Sequence, residues 1–313
     1  MSADITGHEY HPLKYGLSWV LWPGLFALCM AVTAYGFAQD RLILYFNLAY
    51  AFLILSLFLL EKFMPHERAW LNPDGQNIAS ILHTLSSKGT VQGILVFGGT
   101  LGLLDLFSDP SYGIWPHSWP LWAQVCLGVI AAEFALYWAH RLAHEYAIFW
   151  RFHAVHHSVT KLWFLNTGRF HFVDSLMSIV MGLAVLVALG APIEVMKWLS
   201  AITAFIGMLT HCNVEMRFGW LSYIFNTPGL HRWHHSKDLR EGNRNYGENV
   251  MIWDILFGTY YDADYRPPLD IGMGDYMPKT FRRQIIWPFL TLKARQRLEP
   301  DYVYKPFVKE EKP

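Results

Sequence analysis

Long apolar runs separated by short polar loops dominate the chain. A membrane-spanning helix needs about 20 mostly apolar residues. The first two candidates cover Gly16 to Ala38 and Leu42 to Leu60. A third, short and Gly-rich, runs from Val91 to Phe107, and a fourth from Leu121 to Ala139, interrupted only by Gln124 and Glu133. Two more, Val173 to Leu189 and Lys197 to Leu209, form a hairpin around Gly190-Ala191-Pro192. The pattern predicts an all-α integral membrane bundle of about six helices over residues 1–261, with residues 262–313 as an extension outside the membrane. A polar run, SADITGHEYHP, precedes the first apolar stretch without the basic segment and cleavage site of a secretory signal. The first helix is therefore expected to be retained.

Composition agrees with a membrane setting. Of 313 residues, 53% are hydrophobic and 16% charged, against about 25% charged in soluble domains. Formal net charge is zero and no Lys/Arg tract stands out, so nucleic-acid binding has no electrostatic footprint. Cys29, Cys126 and Cys212 form neither a CxxC pair nor a disulfide framework. Basic residues set an orientation. Lys62, Arg68 and Lys88 follow the second apolar run, Arg141, Arg151, Lys161 and Arg169 the fourth, and Arg217, Arg232, Lys237, Arg240 and Arg244 the sixth. The segment Ser108 to Pro120 has no Lys or Arg. Positive loops favour the cytoplasm, so both termini and the histidine-rich loops are expected there.

The histidines change the picture from membrane protein to metalloprotein. The chain has 15, and ten lie between His140 and His235. His140 and His144 (HRLAH) sit at i and i+4, on one helical face. His153, His156 and His157 (HAVHH) share an HxxHH spacing with His231, His234 and His235 (HRWHH). In HxxHH on a helix the first and third histidines share a face, while the adjacent pair diverges by about 100°. Sequence neighbours can thus serve different metals. His171 precedes the fifth apolar run and His211 follows the sixth, so the hairpin returns both to the side of the boxes. Imidazole suits Fe, Zn, Cu and Ni, and so many ligands imply two ions. His8, His11, His66, His83 and His117 are expected to be ordinary interior or interfacial groups.

With HRLAH, RFHAVHHS, NTGRFH, HCN, TPGLHRWHHS and NYGENVMIWDILFGTY in this order over residues 133–261, the sequence resembles the fatty acid hydroxylase and sterol desaturase superfamily. Glu145 after the first box looks like alkylglycerol monooxygenases and bacterial lipid hydroxylases, including those acting on ornithine lipids. NTGRFHFVD departs from the R-x-H-P-x-E form common in the sterol enzymes, having Phe172 and Asp174. The resemblance implies a membrane bundle capped by a cytosolic, histidine-ligated di-iron site that activates O2. Electrons would come from a separate reductase or carrier. It also implies a lipid substrate taken from the bilayer, in a bacterial inner membrane or, in a eukaryote, the endoplasmic reticulum.

Cleaving an unactivated C–H bond requires an oxidised metal–oxygen species that side chains cannot supply. The expected metal ligands are the ten histidines from His140 to His235, holding two irons that zinc can displace in purified protein. Acceptors for their second N–H groups are sought in Glu145, Asp174, Asn213, Asn245 and Asp254, with Glu145 equally placed to pair with Arg141 or Arg151. Asn213 is also a candidate to hold a metal-bound water, Trp233 is expected nearest the substrate, and Arg169 and Lys161 to meet a lipid head group. Other aromatics of the region, such as Trp163 and Phe164, read as an interfacial belt. The leading expectation is lipid hydroxylation. The alternatives are desaturation by the same metal pair and, from another class, divalent-metal transport, which would place ligands near mid-membrane on broken helices.

Overall fold

The structure, a computed structural model, describes residues 12–100 and 113–298. The described residues are helical, with no strand beyond isolated bridges. Five helices are long and apolar enough to cross a membrane: α1 (Pro12–Ala38), α2 (Leu42–Phe63), α4 (Leu121–Glu145), α6 (Phe172–Leu189) and α7 (Ile193–His211). Between α2 and α4 lies α3 (Asn77–Thr100), which starts well before the apolar run expected from Val91 to Phe107. Residues 101–112 of that region lie outside the described residues.

Packing explains which spans are central. α2 and α6 turn most of their surface outward, with Ile43, Leu48, Leu55, Leu59 and Val180 exposed, as suits helices solvated by lipid. α4 and α7 are half-buried and share an apolar core with α6 through Val129, Leu186, Val195 and Ile206. The contact is close because α4 presents small residues, Gly128, Ala132, Ala135 and Ala139, which let backbones approach. A Cβ on Gly128 would lie 2.4 Å from Val195 Cγ1. A second core joins the α1–α2 hairpin to α7 through Trp22, Leu53, Leu57, Phe205 and Leu209.

The hairpin that returns His211 to the level of His171 depends on one residue. Gly190 ends α6 with φ 81°, and its N–H caps the carbonyls of Leu186 and Val187. Glycine takes this left-handed conformation without steric cost. At the other end of the bundle, α5 (Ala147–His157) is separated from α4 by Tyr146 alone, in extended conformation. This turn brings HAVHH back beside HRLAH.

The remaining elements are short: α8 (Pro228–His234), α9 (Leu239–Gly242), α10 (Ile252–Leu256), α11 (Phe281–Ile286) and α12 (Leu292–Leu298). Thr227 and Pro228 start α8, proline being pre-organised for the first helical position. The described residues beyond Tyr261 pack on the histidine end of the bundle through several contacts. Gly272 donates its N–H to the His235 carbonyl, Gln284 Oε1 bonds His83, and Trp287 is buried.

Candidate metal centre and its cavities

Nine of the ten expected histidines converge, all buried, in two groups. His140, His144, His153, His157 and His234 form one, and His156, His211, His231 and His235 the other. Within each group one ring nitrogen from each histidine lies within 4.8 Å of those from all the others. The helical period dictates the division. In HAVHH the first and third histidines, His153 and His157, enter the five-membered group while His156 turns to the four-membered one. HRWHH does the reverse, giving His231 and His235 to the second group and His234 to the first. The two boxes therefore interlock, and His157 stacks on His235 across the boundary with ring centroids 4.3 Å apart.

Hydrogen bonds fix how the rings face. Nδ1 of His140 donates to the Tyr246 carbonyl (2.7 Å), that of His144 to Asn243 Oδ1 (3.1 Å), and that of His153 to Asp174 Oδ2 (2.9 Å). Nδ1 of His234 donates to the Arg244 carbonyl (2.8 Å) and that of His211 to the Gly207 carbonyl (2.7 Å). A neutral imidazole that donates from Nδ1 keeps a lone pair at Nε2. Those Nε2 atoms converge. His157 Nε2 lies 3.1 Å from Nε2 of both His144 and His153, though it can donate to one at most. His231 Nε2 lies 3.0 Å from His211 Nε2, and His235 Nε2 lies 3.1 Å from both His231 and His156. Nε2 of His140 and His234 is buried with no partner.

Crowded, buried lone pairs repel one another and are costly unless a cation lies among them. Burial first, and then the neighbouring imidazoles, hold the pKa of His156, His157, His231 and His234 well below the ordinary value, and His235 likewise. The rings are neutral at pH 7, as metal ligands must be. Ligands about 2.1 Å from a metal and about 90° apart are separated by about 3.0 Å, matching these contacts. The donor set fits two ions of the imidazole-binding class.

The tenth histidine lies apart. His171 caps α6, its Nδ1 accepting from the Val173 N–H, and its Nε2 bonds the Ile285 carbonyl. Both nitrogens are engaged, so His171 is no ligand in this arrangement. Other expected site residues also sit elsewhere. Trp233 is two residues from His231, about 200° round the helix. It faces away from the converging histidines, donating to Asp262 and packing on Tyr261 and Tyr265. Asn213 exchanges two hydrogen bonds with the Glu67 backbone, leaving its amide no room for a metal-bound water. Glu145 pairs with Arg141. Asn245 spends its amide on the backbone of Leu230 and Tyr261. Arg169 is fully buried and bonds Gln76, Ser158 and the Val155 carbonyl, while Lys161 holds the Asn72 carbonyl. Neither faces a lipid. His66 pairs with Glu215, and His83 bonds Phe170 and Gln284, as ordinary interior groups do.

Two carboxylates support the centre at one remove. Asp254 accepts from the N–H groups of Tyr246 and Gly247 and from Thr259, fixing the loop whose Tyr246 carbonyl orients His140. Glu133, inside α4, accepts from the N–H groups of Glu248 and Asn249 and from the Asn249 amide, clamping the same loop. A carboxylate in an apolar span, as Glu133 is in the fourth apolar run, is itself a functional signal. Asn243, Tyr246 and Arg244 were missed because two of them act through carbonyls, which every residue has.

Cavities flank the histidines. One of about 460 Å3 touches only the five-membered group, at His144, His157 and His234, and is otherwise bordered by Trp150, Arg151, Lys237, Met273 and Trp287. The other, of about 160 Å3, touches both groups, at His140, His153, His156, His211 and His231. It continues one turn along α6, from Asp174 to Ser178, and two turns along α7, from His211 past Gly207 to Thr203.

Comparison with known proteins now bears on this geometry. The fatty acid hydroxylase family model matches residues 125–259. Ornithine lipid hydroxylase OlsE of Rhizobium tropici is 46% identical over 293 residues, covering 91% of this chain and 88% of that one. The chain belongs to the fatty acid hydroxylase family. Human alkylglycerol monooxygenase is 33% identical over 146 residues, covering 47% of this chain and 32% of the human protein. The fungal fatty acid hydroxylase vlmA of Lecanicillium is 30% identical over 173 residues, 50% of this chain and 47% of that one. No solved structure matches. The matched segment contains all nine converging histidines.

Proposed function

We propose that this protein is a membrane-bound, non-haem di-iron monooxygenase that inserts oxygen into a C–H bond of a lipid. The observation that carries this reading is the pair of interlocked histidine groups at one end of an apolar bundle, their Nε2 lone pairs turned inward. The ligands are His140, His144, His153, His157 and His234 for one iron, and His156, His211, His231 and His235 for the other. Bound there, two irons would supply the oxidising power that side chains lack. The overall reaction is R–H + O2 + 2 e− + 2 H+ → R–OH + H2O, with both electrons from a separate carrier protein. The relative named for ornithine lipid makes a lipid of that class the first substrate to test.

The chain's own residues prepare the site. Asp174, Asn243 and the carbonyls of Tyr246, Arg244 and Gly207 hold five of the nine imidazoles, those of His153, His144, His140, His234 and His211, in one tautomer and orientation, which raises their basicity toward a metal. Phe170, stacked on His156 at 4.2 Å, and Trp150, against His144 and His157, exclude water from the rings. The smaller cavity, the one in contact with both groups, is the place for the reacting carbon. Its course between α6 and α7 suits a lipid reached from the bilayer. Basic loops at the histidine end favour the cytoplasm for that end.

The test is lipid mass analysis of cells making the wild type or the His156→Ala, His157→Ala variant, which removes one ligand from each group. A lipid gaining about 16 mass units, one oxygen atom, in the wild type alone is the expected result. A loss of about 2 mass units would instead mean desaturation by the same centre. No lipid change in cells holding folded protein would overturn the reading, and ion uptake by vesicles without O2 would point to transport.

A further inference from the structure

The smaller cavity contains one carboxylate that neither the histidines nor the fold uses. Asp174 holds His153, and Glu133, behind the wall, clamps the backbone of residues 248 and 249. Glu248 also lines this cavity, yet its carboxylate has no hydrogen bond or ion pair with any described residue. Burial first, and then the two other acids, Glu133 and Asp174, push its pKa up to about 8. No Lys or Arg lines the cavity among the described residues. Hydroxyl-bearing residues on the wall reached by α6 and α7, Ser178 and Thr203, add polar character deeper in.

We propose that Glu248 is the recognition group for a cationic nitrogen of the substrate, so that the lipid taken is one whose head group carries an ammonium. This rests on the lipid-hydroxylase reading above and narrows its substrate. An ammonium brought beside Glu248 gives its carboxylate a partner through a charge-assisted N–H···O bond. The cavity's 160 Å3 is below the usual range of about 300–1,000 Å3 for drug-sized ligands. A compact group such as an aminoacyl moiety suits it better than a folded acyl chain. A neutral or anionic head group leaves Glu248 unpaired and is disfavoured.

The experiment uses full-length protein loaded with iron in detergent micelles, as wild type and as Glu248→Gln. Decylammonium, decanol and decanoate serve as probes, with binding followed by calorimetry and metal content measured in the same samples. The wild type is expected to bind decylammonium at least tenfold more tightly than decanol, a preference that Glu248→Gln abolishes while keeping its metal. The factor is that of one charge-assisted hydrogen bond. Equal binding of the three probes by the wild type, an unchanged preference in the variant, or loss of metal from the variant would each overturn the proposal. The last outcome would make Glu248 part of the metal site. Binding is read without turnover, so failure of the hydroxylase reading shows separately, as no +16 product from any lipid with the probe preference intact.

Discussion

Replacing Asp174 with alanine removes the one carboxylate that, among the described residues, is hydrogen-bonded to a histidine of the centre. Asp174 Oδ2 lies 2.9 Å from His153 Nδ1, and each side chain is 4% exposed. A hydrogen bond to a charged group is worth about 1.5–3 kcal/mol. Loss of such an outer partner typically costs about 10- to 100-fold in metal affinity, or about 1.4–2.7 kcal/mol, so the two estimates agree. Without its acceptor, His153 is free to rotate or to move its proton to Nε2, withdrawing the lone pair. His153 belongs to the five-membered group alone. Anaerobic titration of metal-free protein with ferrous iron against a competing chelator should therefore show one equivalent weakened about 10- to 100-fold and the other unchanged. Asp174→Asn, which keeps an acceptor but no charge, should fall between. Unchanged affinity for both equivalents, or equal weakening of both, would refute the assignment of His153 and its partner.

Acid should destabilise the metal-free protein. His156, His157, His231, His234 and His235 have folded pKa values well below 6.5, so as pH falls through about 6.5 the unfolded chain binds protons that the folded one refuses. The melting temperature should fall as pH drops from about 6.5 toward pH 5, and a flat profile across that window would contradict the buried, neutral cluster. Gly128→Leu forces a side chain where a Cβ alone meets Val195 at 2.4 Å. It should cost about 1–3 kcal/mol as a lowered unfolding midpoint in detergent, whereas Gly16→Leu, with nothing within 4 Å, should not. Trp233→Phe loses one 3.3 Å bond to Asp262 on the face away from the histidines. Its lipid hydroxylation should stay within about twofold of wild type, the loss being about 0.5–1.5 kcal/mol of stability, and a collapse of turnover would return Trp233 to the substrate site.

How much of this was legible in the sequence depended on whether a residue acts through periodicity or through distant partners. The division of adjacent histidines follows from 100° per residue, and so could be read from HAVHH and HRWHH without a structure. Which histidines of each box join which group could not, because it depends on how α5 and α8 meet. Five of the apolar runs became long apolar helices because length and composition suffice to mark them. The start of α3 was hidden because residues 77–90 are polar enough to read as loop. His171 sat in the right order and on the right side of the hairpin, but a histidine preceding a helix is also an N-cap, and local bonds took both its nitrogens. Glu145, Asn213 and Asp254 are polar residues near the boxes, and nearness in sequence does not say where a side chain points. Of these, Asp254 holds a loop that orients His140, while Glu145 and Asn213 serve Arg141 and Glu67. Glu133 carried a signal in its position, a carboxylate inside an apolar span, whose partner across the fold only the structure reveals.

The measurement that tests the central claim most directly is the metal stoichiometry of the purified full-length chain, with His235→Ala beside it. Two irons per chain in the wild type, and clear loss of one in the variant while the fold is kept, is the predicted result. Folded, active protein with one metal or none would contradict the two-group centre.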